Sequence, residues 1–270
     1  MNATTEPQAK TESDASVHPM SDYEKFIFDL KGFLVIPSVL TDEETWSVRA
    51  HTEQLAKDPE RLPEHQRSPI AGPAEFLINH PRVAGILQDV IDPDSERLRL
   101  ESVFVSGRSA EDGKDPWGPH VGGVNLHPSL SYRFHNGRIY AGMTRIVWEL
   151  NEVVKGQGGT CLVPGSHKAN VASAQEKTWP EKADDPDSGV WETYGCPAGS
   201  LVMFSEGTRH TGSKWTNPNN PRNAILIAYN HVTVRFHEPK PTMNPTVIAG
   251  MSEERQKYFK DVWVLANKRS

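Results

Sequence analysis

The sequence has few cysteines and no long apolar segment. Its 270 residues include two cysteines, Cys161 and Cys196, which do not have a C-x-x-C or other metal-binding spacing. We expect two reduced thiols, as in a cytoplasmic protein, and a single disulfide between them is the alternative. No run of about 18 apolar residues is present, so we expect no membrane-spanning segment.

Positive charges are outnumbered by negative ones. Lys and Arg number 29 against 35 Asp and Glu, the formal net charge is -6, and the two signs are mixed along the chain. This distribution offers no basic stripe that would bind nucleic acid. The first 21 residues are polar and lack the apolar stretch of a signal peptide. We therefore expect a disordered tail over residues 1–21, a single domain over residues 22–270 and a cytoplasmic location.

The N-terminal third of the chain is predicted to be helical around one short strand. Apolar residues at helical spacing predict helices over Asp22–Leu30 and Pro81–Ile91. Thr41 and Glu44 form a capping-box pattern, which predicts the start of a further helix. The segment Phe33–Ile36 is predicted to be a short buried strand.

From residue 97 onward the pattern changes to short β-type segments separated by Gly, Pro and Asn. These segments begin at Leu98–Val105 and continue at Tyr140–Leu150, Thr160–Val163, Ser200–Phe204 and Asn223–Tyr229. A polar insert over about residues 169–197 interrupts them, and an amphipathic helix is predicted from Ser252 to about Leu265. Short strands behind a helical layer predict a mainly β (α+β) domain in which the strands form a sandwich or barrel.

Two of the eleven histidines have surroundings suited to a metal site. His120 lies in a Gly/Pro-rich segment, where the backbone can approach a ligand closely. His210 follows the segment that ends at Phe204, at a place where a barrel would have its mouth. Arg222 begins the next predicted strand, and a buried arginine needs an anionic partner, for which a dicarboxylate co-substrate is the natural candidate. The simpler alternative is that both histidines make hydrogen bonds in turns and that Arg222 pairs with a surface acid.

Several blocks of sequence resemble the phytanoyl-CoA dioxygenase family. The blocks are Gly32–Pro37 (GFLVIP), Trp148–Leu150 (WEL), Gly158–Lys168 (GGTCLVPGSHK) and Gly199–Phe204 (GSLVMF), followed in family order by His210 and Arg222. The resemblance covers about residues 22–235, and Pro164–Lys168 is its most specific part, so His167 is assigned to a structural turn. It implies a double-stranded β-helix, which is a cupin-like jelly roll.

The same resemblance implies an enzyme that uses Fe(II), 2-oxoglutarate and O2 to oxidise a C–H bond of a small molecule. His120 and His210 would then bind the iron, and Arg222 would hold the far carboxylate of 2-oxoglutarate. Iron is favoured over zinc because the site has no thiolate and the family performs redox chemistry.

Neither the substrate nor the oligomeric state follows from the sequence. The strand that contains Thr144 and Trp148 would line the pocket, with no firm role for either residue. Arg133, Arg138 and Arg145 lie near the predicted mouth. They would favour an anionic substrate, or they are solvated charges at strand edges, which is the interpretation that we favour.

One position departs from the family pattern. The family's iron motif is His-x-Asp or His-x-Glu, whereas this chain has His120-Val121-Gly122, and glycine has no side chain to offer the metal. A different alignment would make His127 or His135 the ligand. Neither restores the carboxylate, because Pro-Ser follows the first and Asn-Gly follows the second.

The missing carboxylate has three further interpretations. In the first, Glu149 or Glu206 replaces it, with unusual geometry, and in the second the chain is a non-catalytic binding protein with a relic site. In the third, Gly122 is a functional vacancy, since the Fe(II)/2-oxoglutarate halogenases resemble this arrangement and place a halide where the carboxylate would be. We favour halogenation with chloride, with hydroxylation or desaturation as the alternative, and Gly122 would otherwise only bend a strand.

Overall fold

The computed structural model describes residues 17–121, 131–171, 189–237 and 243–263. The α-helices in these ranges are α1 (Asp22–Lys31), α2 (Asp42–Lys57), α3 (Pro81–Val90), α4 (Pro245–Ala249) and α5 (Glu253–Gln256). The strands are β1 (Phe33–Ile36), β2 (Leu98–Arg108), β3 (Arg133–His135), β4 (Arg138–Tyr140), β5 (Thr144–Glu149), β6 (Gly159–Leu162), β7 (Ser200–Ser205), β8 (His210–Ser213) and β9 (Arg222–His231). Short 3-10 helices connect several of them.

Helices α1 and α2 both begin at a capping box. Ser21 accepts the backbone N–H of Glu24, and Thr41 accepts the backbone N–H of Glu44 at 3.2 Å. The Glu44 carboxylate in turn accepts the backbone N–H of Thr41 at 2.8 Å. Helix α1 ends at Gly32, whose φ of 82° lies in the left-handed region that favours glycine. The predicted starts of α1, α2 and α3 are confirmed.

The folded chain begins before Asp22. Met20 is buried, and its backbone N–H donates to the Asp89 carboxylate at 2.7 Å. The guanidinium of Arg82 binds the carbonyl oxygen of His18 at 3.1 Å. The prediction of a disordered tail is therefore wrong for residues 17–21, which pack against α3, while residues 1–16 lie outside the described ranges.

The C-terminal helix is shorter than the pattern predicts. Helix α5 ends at Gln256, and a 3-10 turn over Lys257–Phe259 follows it. This tighter turn brings the ring of Tyr258 to 6.1 Å from that of Tyr229, between ring centroids, and buries it. Residues 264–270, at the predicted end of the helix, are not among the described residues.

The strands form one large sheet and two small ones. The large sheet is antiparallel with the order β1-β7-β5-β9-β2, while β6 pairs with β8 and β3 pairs with β4. One face of the large sheet packs against the helices in the main apolar core. On the other face, Val147, Val202 and Leu226 pack with Leu162 of β6 in a second core, so the large sheet and the β6–β8 pair enclose an interior.

Every second side chain of strand β5 enters that interior. Its side chains alternate between the two faces of the sheet. Val147 belongs to the interior core, whereas Trp148 belongs to the helix-side core, with its ring 5.4 Å from that of His80. Thr144 shares the helix-side face with Trp148, so these two residues of the predicted pocket-lining strand do not face the interior. Arg145, Val147 and Glu149 point inward instead.

Both cysteines are buried free thiols, as the sequence predicted. Burial, reinforced by the nearby Glu149 carboxylate, raises the pKa of Cys196 to about 12. Cys196 and Tyr194 are buried at the end of the predicted polar insert, of which residues 172–188 lie outside the described ranges. Across the described part of the chain, no helix has both the length and the apolar character needed to cross a bilayer.

Candidate metal centre

His120 and His210 are brought together by an isolated antiparallel bridge. The backbone N–H of His120 donates to the His210 carbonyl at 3.1 Å, and the reverse bond measures 3.2 Å. The two imidazole centroids are 4.2 Å apart. The N–H of Gly118 also donates to Oγ1 of Thr211 at 2.9 Å, so the segment before His120 runs alongside β8.

Each of the two imidazoles is oriented by a backbone carbonyl. Nδ1 of His120 lies 2.7 Å from the Gly118 oxygen, and Nδ1 of His210 lies 2.7 Å from the Thr208 oxygen. A carbonyl only accepts, so each Nδ1 carries the proton and each Nε2 has a free lone pair. Burial lowers the pKa of His210 to about 4, which keeps this ring neutral at pH 7. Two imidazoles side by side, each with its Nδ1 held by a backbone carbonyl, fit a divalent transition metal.

A buried ion pair between Glu206 and Arg145 lies beside His210. Nε of Arg145 donates to Oε1 of Glu206, and Oε2 lies 3.6 Å from Nε2 of His210. Burial alone would raise the pKa of Glu206, but Arg145 and His210 outweigh it and hold this pKa below its usual value. The guanidinium also lies over the ring of Phe104 at 5.3 Å. The favoured prediction of a solvated charge is therefore wrong for Arg145, while Arg133 is exposed.

Arg222 enters the interior and has an acidic partner there. Its Nε lies 3.2 Å from Oε2 of Glu149, and its Nη2 donates to Oε1 of the same carboxylate. Its Nη1 donates to Oγ of Ser106 at 3.2 Å, and the hydroxyl of Tyr194 donates to Glu149 at 2.6 Å. Burial alone would lower the pKa of Arg222, but Glu149 keeps it above its ordinary value. The anionic partner that burial demands is thus a residue of this chain, and it is a buried acid, not a surface one.

Arg108 is a second cation at the same end of the interior, and no motif in the sequence singles it out. It lies directly opposite Arg222 in the register of β2 and β9, so both side chains leave the same face of the sheet. Its Nη1 donates to the carbonyl of Ser213 at 3.2 Å. Burial, and then the charge of Arg222, lowers its pKa. Two guanidinium groups against the single carboxylate of Glu149 leave an excess positive charge, which fits a dicarboxylate co-substrate.

The backbone is strained immediately after His120. Val121 has a φ of 61°, in the left-handed region that a β-branched residue rarely adopts. Such a conformation costs about 1–3 kcal/mol and is found mainly at functional sites. Nη1 of Arg209 donates to the Val121 carbonyl at 3.1 Å and helps to hold it. Gly122, the predicted halide position, and His127 lie outside the described residues.

The described residues supply no third protein ligand. Within their ranges, no group of three His, Cys, Asp or Glu side chains is arranged to hold a metal ion. The two candidate substitutes, Glu149 and Glu206, are each held in an ion pair, with Arg222 and Arg145 respectively. His135 is exposed on the β3–β4 hairpin.

Most of the chain matches a known protein family. The phytanoyl-CoA dioxygenase (PhyH) family matches residues 28–224, which is most of the chain. The chain belongs to this family, as the sequence blocks indicated. Comparison with curated proteins gives no match.

Three solved structures illustrate the shared fold. HygX from Streptomyces hygroscopicus, with nickel and 2-oxoglutarate bound, is 21% identical with a TM-score of 0.67, covering 80% of this chain and 89% of that chain. SnoK, a non-heme α-ketoglutarate-dependent carbocyclase from nogalamycin biosynthesis, is 19% identical with a TM-score of 0.55, covering 84% and 95%. SnoN, an epimerase from nogalamycin biosynthesis, is 17% identical with a TM-score of 0.51, covering 82% and 94%. The predicted cupin-like jelly roll is confirmed.

Proposed function

We propose that the protein is an Fe(II)/2-oxoglutarate-dependent enzyme that oxidises an unactivated C–H bond of a small molecule. The observation that carries this proposal is the orientation of His120 and His210, whose Nδ1 atoms are both committed to backbone carbonyls. Their Nε2 atoms are thereby left to hold the metal. Bound iron with 2-oxoglutarate and O2 supplies the oxidant for C–H cleavage.

The surrounding residues prepare this chemistry in distinct ways. The Glu206–Arg145 pair places a carboxylate oxygen beside His210, where it would lie close to a metal held by that ring. Arg222 and Arg108 form the positive end of the interior, where the far carboxylate of 2-oxoglutarate would bind. Apolar side chains such as Leu226 pack between the two ends and would limit the access of water.

Chlorination is the outcome that we favour for this enzyme. Gly122 replaces the carboxylate of the family's metal motif, and the carboxylates of Glu149 and Glu206 are engaged by arginines. An anion from solution would then complete the coordination of the metal, and chloride has a suitable charge and size. Hydroxylation or desaturation is the alternative when water fills the same position, and a non-catalytic binding protein is the second.

The substrate is proposed to be a small molecule of the kind made in secondary metabolism. HygX has been crystallised with hygromycin B, and SnoN with nogalamycin RO. The two free thiols accord with the proposed cytoplasmic location.

Metal and co-substrate binding is the first test. Anaerobic addition of Fe(II) and 2-oxoglutarate should produce the visible charge-transfer band of a chelated 2-oxo acid. His120→Ala and His210→Ala should each abolish this band, while His135→Ala, at an exposed position, should retain it. A wild-type protein that shows no band at saturating Fe(II) and 2-oxoglutarate would favour the non-catalytic alternative.

Product analysis is the second test. Candidate substrates are first screened by the 2-oxoglutarate they consume, and the product is then identified by mass spectrometry with and without chloride. A chlorinated product that disappears when chloride is omitted is expected. A product that is only hydroxylated at saturating chloride refutes halogenation and leaves the oxidative function standing.

A further inference from the structure

The two histidines of the candidate metal centre are held in the fold in different ways. His210 begins strand β8, is buried, and has its ring centroid 4.7 Å from that of Phe204. His120 is exposed and lies outside the strands β1–β9. Because surrounding side chains do not enclose the His120 imidazole, its position depends on the backbone segment that carries it.

The segment over residues 116–120 runs along β8 with few backbone contacts. Its regular pairing with β8 is limited to the bridge between His120 and His210 in the described part of the chain. At its other end, Pro116 rests against Gly212, where an added Cβ would lie 3.1 Å from Cγ of the proline. The strained φ of 61° at Val121 follows directly after the bridge, and such a conformation persists only where the surroundings hold it.

Trp117 packs this segment onto the outer face of the small sheet. Leu162 of β6 faces the interior core, so its neighbours Cys161 and Val163 face outward. Cys161, Val163 and Trp191 form a separate apolar cluster, and Trp117 packs against it. The two indole centroids are 5.2 Å apart at an interplanar angle of 64°, which is the edge-to-face arrangement that aromatic rings favour.

The two tryptophans come from opposite edges of the small sheet. On one side β6 pairs with β8, and on the other Leu162 forms an isolated bridge with Glu192, the residue after Trp191. Trp117 belongs to the segment on the free side of β8. The two indoles therefore reach across the outer face of the sheet and meet there. Only three residues separate Trp117 from His120, so a fixed indole restricts where the imidazole can lie.

We propose that Trp117 is a positioning residue for the metal centre. By packing against Trp191 and the outer cluster, it holds the backbone that carries His120, and it is not itself a metal ligand. This inference rests on the proposed function, because it takes His120 as a ligand. The apparent affinity of a site falls with the fraction of molecules in which it is correctly formed. Loss of the Trp117 indole should therefore weaken metal binding without disturbing the large sheet.

The test measures Ni(II) binding to the metal-free protein by isothermal titration calorimetry, without a co-substrate. Trp117→Ala should raise the Kd about 10-fold, as expected if the segment is in place in about one molecule in ten. Trp117→Phe keeps an aromatic ring against Trp191 and should recover most of the affinity. Trp46→Ala removes an indole that is 63% exposed on α2, and it controls for the loss of a tryptophan elsewhere.

Amide hydrogen exchange of the metal-free proteins separates positioning from a general loss of stability. The N–H of His120 donates to the carbonyl of His210, and it should exchange about 10-fold faster in Trp117→Ala because the segment opens locally. The amides of β5 should keep their protection. Equal loss of protection in β5 would mean that Trp117 serves global stability, and it would overturn the inference.

The outcomes for the inference and for the proposed function are distinct. Unchanged Ni(II) affinity in Trp117→Ala overturns the inference while the proposed function stands. A wild-type protein that binds no Ni(II) overturns the metal centre itself, and this result appears before any variant is compared.

Discussion

Oε2 of Glu206 lies 3.6 Å from Nε2 of His210, while Oε1 of the same carboxylate is held by Arg145. The carboxylate thus lies beside Nε2 of His210, the nitrogen proposed to bind the metal, while its other oxygen is held by Arg145. A carboxylate in this position would change the local charge and the orientation of the His210 ring without binding the metal itself.

Replacement of Glu206 by Gln should weaken metal binding. The amide keeps the size of the side chain but removes the negative charge beside His210, and the loss of about 1 kcal/mol of charge interaction would lower metal affinity about 5-fold. Competition with a chelator of known affinity measures the change. Glu192→Gln, which breaks a surface ion pair with Lys31, is the control. Equal affinity of Glu206→Gln and wild type would remove Glu206 from the site.

The Arg222–Glu149 pair should behave as one structural unit. Glu149→Gln leaves the charge of a fully buried Arg222 uncompensated, and breaking such a pair costs about 3–5 kcal/mol of unfolding free energy. The double variant Glu149→Leu/Arg222→Met removes both charges and should be less destabilised than Glu149→Gln alone. Urea denaturation of the set measures this. A double variant that is destabilised as much as Glu149→Gln, or more, would show that the two charges are not coupled.

The stability of the protein should fall as the pH is lowered from 6.5 towards 4. Burial, and then the charge of Lys168, lowers the pKa of His167 from 6.5 to about 4. Between these two values the unfolded state binds more protons than the folded state, so the contribution of His167 is complete above pH 6.5 and is lost below it. The expected slope for this group is about 1.4 kcal/mol per pH unit.

His167→Gln tests the origin of this pH dependence. Nε2 of His167 faces the Asp29 carbonyl at 3.1 Å, and its buried Nδ1 has no hydrogen-bond partner among the described residues. A glutamine amide can keep the first contact and does not titrate. Urea denaturation between pH 7 and pH 5 should therefore give a shallower slope for the variant, and an unchanged slope would contradict the assignment.

Gly32→Ala should be much more destabilising than a matched glycine substitution elsewhere. A Cβ at Gly32 would lie 2.4 Å from both Nδ1 of His167 and Oγ1 of Thr208, in addition to the strain of a φ of 82°. Gly156 has a φ of 84° with nothing within 4 Å, so Gly156→Ala isolates the backbone strain. That strain is about 1–2 kcal/mol. Overlap at Gly32 should add about 1–3 kcal/mol to the loss in thermal unfolding measurements.

Gly122→Asp should restore a protein carboxylate to the metal motif. The variant is expected to retain iron and to shift the product from chlorinated to hydroxylated, because the carboxylate would compete with chloride for one coordination position. Product ratios at fixed chloride measure the shift. Chlorination that persists at the wild-type level would show that the halide binds elsewhere.

Local sequence signals predicted most of the helices and strands. The capping box at Thr41 and Glu44 and the glycine after α1 act through neighbouring backbone groups, so they can be recognised without the tertiary structure. Strands β3 and β8 were missed because they are short and mostly polar. The end of α5 was misplaced because burial of Tyr258, a tertiary effect, overrides the helical pattern.

The electrostatic partners within the site could not be predicted in this way. Strand β5 is buried on both faces, so its alternation gives no indication of which residues face the interior. Apolar Ile146 and Trp148 face the helices. Charged Arg145 and Glu149 face the interior between the sheets, where apolar side chains are usually expected. Arg108 becomes significant only through its register opposite Arg222, and register is a property of the assembled sheet.

The bridge between His120 and His210 joins two distant segments through a single pair of backbone hydrogen bonds. Binding of a cation by both imidazoles is therefore thermodynamically linked to the contact between the Trp117–Val121 segment and β8. By linkage, attachment of that segment must tighten cation binding by the same factor by which the cation tightens attachment. Metal binding at the proposed site would therefore stabilise the attachment of the Trp117–Val121 segment to β8.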